Sequence, residues 1–232
     1  SVEGVVGKGL HLTGAKDTSI RADSVSLPAS AFTISLWFSP DADQDSSGNK
    51  WYLMYWGGDE ETLGNKPLYE FNEDEKGTIH LCIGIVGKQQ YKLETKTNSW
   101  KAFAWYHLAT TFDGAEVRLY VNGTLEDAAN QRGTHYASSE VCFGSKYNGD
   151  SPFKGKLDDI RIYSRSLTAN EIGQLYMLRI PPAFRGSLEK ARATLNTQGP
   201  KEAIVFLEGE IPGIKKWIEE NGDKYVVGAR EL

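Results

Sequence analysis

The sequence predicts an all-β protein, a sandwich or jelly roll of many short antiparallel strands, with a small, mainly helical C-terminal extension. Three observations carry this. Residues 105–124 read as two apolar strands joined by a tight turn at Asp113-Gly114 and closed by a second turn at Asn122-Gly123. Asp-Gly and Asn-Gly supply the positive φ that two-residue hairpins require. In the second strand Val117, Leu119 and Val121 alternate with Glu116, Arg118 and Tyr120, a period of two that places one face in a core and the other toward solvent or a ligand groove. Finally, apolar runs of 4–9 residues recur along the first 177 positions, each bounded by Gly, Asn, Asp, Pro or Lys, the texture of a sandwich or jelly roll.

Each element follows in order. Val5-Val6 leads into a strand over 9–14, then a short one over 19–22. Residues 32–38 alternate cleanly and end at Pro40. Residues 41–50 form a polar loop, 51–56 an aromatic strand, and 59–66 a second polar loop. Strands over 68–71, 78–86 and 90–93 precede the hairpin; 140–143 and 155–163 follow it. Thr168-Ala-Asn-Glu171 then fits a capping box, with Ile172, Leu175 and Tyr176 as a helical apolar stripe. Glu171 is therefore read as a cap, not an acid catalyst. From 178 the texture changes: Pro181-Pro182, a helix capped by Ser187, helices opening at Pro200 and Pro212, a stop at Asn221-Gly222 and a short strand over 225–227. The expected division is 1–177 for the β domain and 178–232 for a helical extension or the start of a further domain.

The chain has 232 residues, 40% hydrophobic and 25% charged, with six Trp and eleven Tyr. Its net charge of −5 without a basic run argues against nucleic acid and anionic membranes as partners. No apolar run nears the ~20 residues that span a bilayer. The chain opens on Ser1 without a signal peptide, which reads as a processed product or a piece of something larger. Cys82 and Cys142 each sit between core-facing neighbours and so point off the core; they could pair or both be free.

Six segments stand in a telling order: 7–14, 32–38, 105–114, 117–123, Phe143-Gly144 with 153–163, and 166–172. Over residues 4–177 this resembles a laminin-G-like jelly-roll domain of the concanavalin A-like lectin/glucanase superfamily. The resemblance implies two packed antiparallel sheets, often a structural calcium, and ligand binding in place of catalysis in most members; fold analogy alone does not settle function.

Calcium is the expected cofactor. Asp158 shares a strand face with Ile160 and Ile162, where a carboxylate must meet hydrogen bonds or a cation. The resemblance places a calcium where this strand meets the loop carrying Asp17 and Asp23, and hard oxygen ligands suit it. The alternative is that Asp158 accepts turn amides and Asp17 only makes a turn. Asp41, Asp43 and Asp45 also have calcium-like spacing, but Ser46 and Tyr52 stand where an EF-hand has Gly and Glu; a solvated acidic loop is the expectation.

The resemblance implies that a retaining glucanase of the wider superfamily would carry two carboxylates two or four residues apart on one strand, which gives the ~5 Å separation that the nucleophile and acid pair needs. Glu70–Glu75 and Asp59–Glu61 are the nearest candidates; both are read as loops, and the expectation is no enzyme. His107 is read as a packed or edge histidine, and Trp37 and Trp105 as core. For a sugar, the candidate surface is aromatic with amides and carboxylates nearby: Trp51, Tyr52, Tyr55, Trp56, Trp100, Tyr136 and Tyr147, with Asn65, Asn148 and Asp150. Strict alternation would put Trp51, Leu53 and Tyr55 on one face and Tyr52, Met54 and Trp56 on the other. Asn122-Gly-Thr124 fits a glycosylation sequon, though the hairpin turn explains it fully. The expected function is a non-catalytic, lectin-like module of an extracellular or cell-surface protein, its partner a glycan or another protein, with a degenerate glycoside hydrolase as a third reading.

Overall fold

Alternating β-branched and aromatic residues become thirteen strands in a computed structural model that describes residues 2–178, apart from 24, 26–29, 45–49, 58–68, 74–75, 84–90, 133–139 and 147. The strands are β1 (Val2–Glu3), β2 (Lys8–Thr13), β3 (Ile20–Ala22), β4 (Phe32–Pro40), β5 (Tyr52–Trp56), β6 (Tyr69–Glu73) and β7 (Ile79–Ile83). They continue with β8 (Tyr91–Glu94), β9 (Tyr106–Phe112), β10 (Glu116–Val121), β11 (Thr124–Asn130), β12 (Val141–Phe143) and β13 (Lys154–Tyr163), and one helix follows, α1 (Ala169–Met177). The expected helical extension over 178–232 lies almost wholly outside the described residues. Among the described residues no helix is long and apolar enough to cross a membrane.

Two antiparallel sheets form, as the resemblance implied. The seven-stranded sheet runs β1-β2-β13-β4-β9-β10-β11 and the six-stranded sheet β3-β12-β5-β6-β7-β8. Their facing sides interdigitate. Ile34, Leu36 and Phe38 of β4, Leu108 of β9, Val117, Leu119 and Val121 of β10 and Leu157 of β13 meet Leu53, Met54, Trp56, Ile79, Leu81, Ile83, Val141 and Phe143. Trp51, Trp100, Tyr106 and Phe153 close one end around the Phe38 ring.

The other face of β4 and β9 is buried as well. Ile172 and Leu167 pack on Ala109 and Tyr120, and Tyr176 stacks on Trp37 with centroids 5.7 Å apart. The Tyr120 face of the hairpin, expected toward solvent or a groove, is thus partly roofed by α1. Trp37 and Trp105 are buried as expected, but under the helix with Tyr176 and not between the sheets. His107 is a packed histidine, fully buried, with Nε2 3.0 Å from Ser35 Oγ. Asn122 adopts φ 49° and its side-chain carbonyl accepts the His107 N–H at 3.0 Å, so this residue builds the turn.

The capping box forms. Glu171 accepts the Thr168 N–H at 2.8 Å, and Arg165 grips the same carboxylate with both terminal nitrogens. The Arg165 fork, then the Thr168 amide, holds the Glu171 carboxyl down from 4.5 to about 2. A group depressed by folding stabilises above its unfolded value and loses that contribution as pH falls toward its folded value. Glu171→Gln is therefore expected to melt below wild type at pH above about 4.5. The gap should close as pH falls toward about 2, in paired thermal melts; a constant gap would overturn it.

β11 was not foreseen. Its Leu-Glu-Asp-Ala run lacks apolar alternation because its acids have another use. Glu126 accepts the Lys96 and Thr97 N–H groups at 2.8 and 3.1 Å and the Thr97 hydroxyl at 2.6 Å, and Asp127 accepts the Glu94 N–H at 3.0 Å. These bonds lace the edge of one sheet to the edge of the other.

Candidate functional site

β5 departs from strict alternation. It pairs with β6 as Tyr52↔Asn72 and then Met54↔Phe71, a bulge that opposes two residues to one. Leu53 and Met54 consequently both enter the core with Trp51 and Trp56. Tyr52 and Tyr55 share the opposite face with Cys142, their rings 6.2 Å apart and steeply inclined. The expected ligand set therefore divides. Trp51 donates Nε1–H to Gln44 and packs on Phe153; Trp56 and Trp100 are fully buried. These three are core, not ligand surface. Asn65, Tyr136 and Tyr147 lie outside the described residues.

Register fixes what surrounds the tyrosines. One row across the six-stranded sheet runs Arg21, Cys142, Tyr55, Glu70, Cys82, Lys92. A second runs Tyr52, Asn72, His80, Glu94. Flanking residues such as Ile79, Leu81, Ile83, Leu93, Val141 and Phe143 face the core, so Cys142, Tyr55, Cys82, Lys92, His80 and Glu94 face away from it. His80 Nε2 lies 3.0 Å from Thr78 Oγ1 and 3.5 Å from Glu94 Oε1, which also takes Lys92 Nζ at 3.0 Å. Lys92, before His80, holds the Glu94 carboxyl below its ordinary value. The parity that turns Cys82 off the core applies equally to His80, Lys92 and Glu94, and it is the signal that would have found them.

The loop between β12 and β13 abuts the tyrosine end. The Tyr52 N–H donates to Ser151 O at 3.1 Å, and Lys146 Nζ sits 5.2 Å over the Tyr52 ring. Asn148 donates to Asp150 at 2.7 Å and accepts its N–H at 3.0 Å. Lys16 donates to the same carboxylate and is the main reason it stays below the usual carboxylate range. The structure thus brings Tyr52, Tyr55, Asn148 and Asp150 to one end of one sheet.

Cys82 and Cys142 are buried thiols, neither of them in a disulfide. The row places two strands between them, three spacings of about 4.8 Å, well beyond the ~7 Å Cα limit for a disulfide; pairing is excluded.

The calcium trio is not assembled. Asp158 is buried, but not on a face shared with Ile160 and Ile162 as expected: a bulge between Asp158 and Arg161 turns Ile160 toward the core with Leu157 and leaves Ile162 exposed, and the Asp158 oxygens accept the Val6 and Asp159 N–H groups, both at 2.8 Å. Gly9 packs against it, whereas Asp17 follows Thr13, whose partner is Lys154 at the far end of the pairing. Asp158 with Asp17 and Asp23 does not fit a Ca²⁺ ion. Asp41 meets His11, and Asp43 takes the Ala102 N–H and Lys101. Among the described residues no group of three His, Cys, Asp or Glu could hold a metal.

For the carboxylate pair, Glu70 and Glu73 lie on β6, not in a loop as expected. Their spacing of three differs from the even spacing that puts two residues on one strand face. Asp74, Glu75 and Asp59–Glu61 fall outside the described residues.

The profile of the Laminin_G_3 family, described as the concanavalin A-like lectin/glucanases superfamily, matches residues 13–173. The adhesion G-protein coupled receptor V1 of Danio rerio is 24% identical over 155 residues, which is 62% of this chain; the chain spans only 2% of that receptor. Among solved structures, the binding domain of botulinum neurotoxin serotype G superposes with a TM-score of 0.57 at 14% identity, covering 76% of this chain and 46% of that one. Domain 4 of AbnA, a GH43 extracellular arabinanase from Geobacillus stearothermophilus solved with arabinotriose, gives 0.56 at 23% identity over 75% and 79%.

Proposed function

Because the chain belongs to the concanavalin A-like lectin/glucanases superfamily, we propose that it is a non-catalytic, carbohydrate-binding module of a larger extracellular or cell-surface protein. The observation that carries this reading is the outer face of the six-stranded sheet. It sets the Tyr52–Tyr55 pair beside the polar loop of Asn148 and Asp150 and in register with His80 and Glu94. Sugars are recognised by apolar contact with aromatic rings together with fixed donors and acceptors for hydroxyls. The arabinotriose bound by the similar arabinanase domain supports it. A site of this kind needs geometry and hydrogen bonds but no nucleophile.

A protein-interaction module is the second reading. Tyr52 and Tyr55 are only 8% and 7% exposed, which leaves a small area of ring for stacking, and the similar receptor is named for adhesion.

The test is binding to an immobilised panel of oligosaccharides by wild type and Tyr55→Ala, with circular dichroism as a folding control. Wild type is expected to retain at least one sugar, and the variant to lose about tenfold or more in affinity, the scale of one lost aromatic contact. Retention of nothing on the panel, or binding unchanged in Tyr55→Ala, would turn the reading toward a protein partner.

A further inference from the structure

One aromatic ring stands largely exposed among the described residues. Phe103, in the turn between β8 and β9, adopts φ 63°, the left-handed region that disfavours bulky side chains. Its side chain is 63% exposed, the highest among the exposed large hydrophobic residues described. Burial does not favour Phe here and neither does the backbone; Gly or Asn would hold this conformation more easily. A local preference broken without a packing gain marks a functional position.

The turn is rigidly built. The Phe103 N–H donates to Pro40 O at 2.7 Å and the Ala104 N–H to Lys101 O at 3.2 Å. Asp43 Oδ1 accepts the Ala102 N–H at 2.8 Å, and the Tyr106 hydroxyl accepts the Lys101 N–H at 2.7 Å. The ring is therefore held outward in a fixed place, which removes most of the ordering cost of binding. Its surroundings are ionic. Lys101 Nζ meets Asp43 Oδ2 at 3.0 Å. Beside Pro40, Asp41 Oδ2 meets His11 Nε2 at 2.8 Å, and the Asp41 N–H ties in Lys154 at 3.2 Å.

We propose that Phe103 is the stacking platform of a second carbohydrate site, rimmed by the Asp41–His11 and Asp43–Lys101 pairs and distinct from the Tyr52–Tyr55 face. The C–H face of a sugar ring lies on the phenyl ring, and its hydroxyls exchange hydrogen bonds with the carboxylates, imidazole and ammonium at the rim. An apolar protein pocket or a lipid surface would meet charge where it needs apolar contact. The proposal rests on the glycan reading above.

Its test uses the intact chain on the same oligosaccharide panel, comparing wild type, Phe103→Asn and Tyr55→Ala, with a thermal melt of each. Phe103→Asn is expected to melt at or above wild type, since Asn tolerates the left-handed turn, while losing about tenfold or more in affinity for at least one sugar. If wild type binds and Phe103→Asn binds equally well, the second site is overturned while the glycan reading stands on Tyr55→Ala. If Phe103→Asn melts well below wild type, the ring serves packing and the proposal is overturned. If wild type binds nothing on the panel, the glycan reading falls and this site with it.

Discussion

Phe38→Ala is expected to remove about 3–5 kcal/mol of stability, the range for deleting a buried aromatic ring and leaving a cavity. Phe38 is fully buried, and its ring lies 6.0 Å from Trp51, 5.3 Å from Trp100, 5.4 Å from Tyr106 and 6.2 Å from Phe153. Four aromatic partners from four separate segments cannot all close on a methyl group. Their own positions are pinned by backbone pairing and by polar ties such as Trp100 Nε1–H to Gly77 O at 2.7 Å. At about 2–4 °C per kcal/mol for a domain of this size, the melting temperature should fall by roughly 6–20 °C. Urea unfolding would report it as a lower midpoint with an unchanged slope. A loss below about 1 kcal/mol would mean that the end of the sandwich repacks freely. Trp51, Trp100, Phe153 and the Phe103 turn share this end, so the variant should also weaken whatever the Phe103 ring binds.

Gly155→Ala is also expected to destabilise, for the opposite reason. A methyl group there would stand 2.4 Å from the Ser39 carbonyl oxygen and 2.6 Å from Phe153 Cζ. Gly155 lies inside β13, flanked by Leu12 of β2 and Pro40 of β4, so neither neighbour can retreat without opening the sheet. Overpacking of this kind costs about 1–3 kcal/mol and more where backbone must move. Gly7→Ala is the control. Gly7 has φ 76° but open space around its methyl position, so only the left-handed penalty of about 1–2 kcal/mol applies. Thermal melts should rank Gly155→Ala clearly below Gly7→Ala; equal losses would show that conformation, not crowding, decides both.

What sequence alone reveals here is what is encoded locally. The 105–124 hairpin shows through its Asp-Gly and Asn-Gly turns, β4 through clean alternation, and α1 through a capping box contained in four residues. Features that depend on a distant partner do not show. The β5 bulge is a property of pairing with β6, so strict alternation puts one Trp and one Tyr on each face, whereas both Trp enter the core and both Tyr take the other face. β11 is invisible because Glu126 and Asp127 stabilise it by reaching across the sandwich edge, not by burying apolar area. Asp158 shows the same division. Its need for a hydrogen-bond partner is legible, but the bulge that parts it from Ile160 is a property of pairing with β4, and the amide that satisfies it belongs to Val6, 152 residues away. Phe103 escapes notice because nothing in Lys-Ala-Phe-Ala announces a positive φ.

The place of β13 in its sheet has a consequence for biosynthesis. This strand lies between β2 and β4 and hydrogen-bonds to both. A chain growing from its N-terminus finishes β2 early, yet Thr13 waits for Lys154 before its edge is paired. At ribosomal speeds of about 5–20 residues per second that interval is on the order of ten seconds or more. Throughout it β2 has only the two-residue β1 beside it in its sheet, on its other edge, and Leu12 lies beyond that pairing; pairing across so long a stretch of chain is intrinsically slow. The domain is thus committed to complete itself only after nearly all of its strands have emerged. Truncation just short of residue 154 would leave a nascent protein with two unclosed edges, the state in which chaperone capture competes with aggregation.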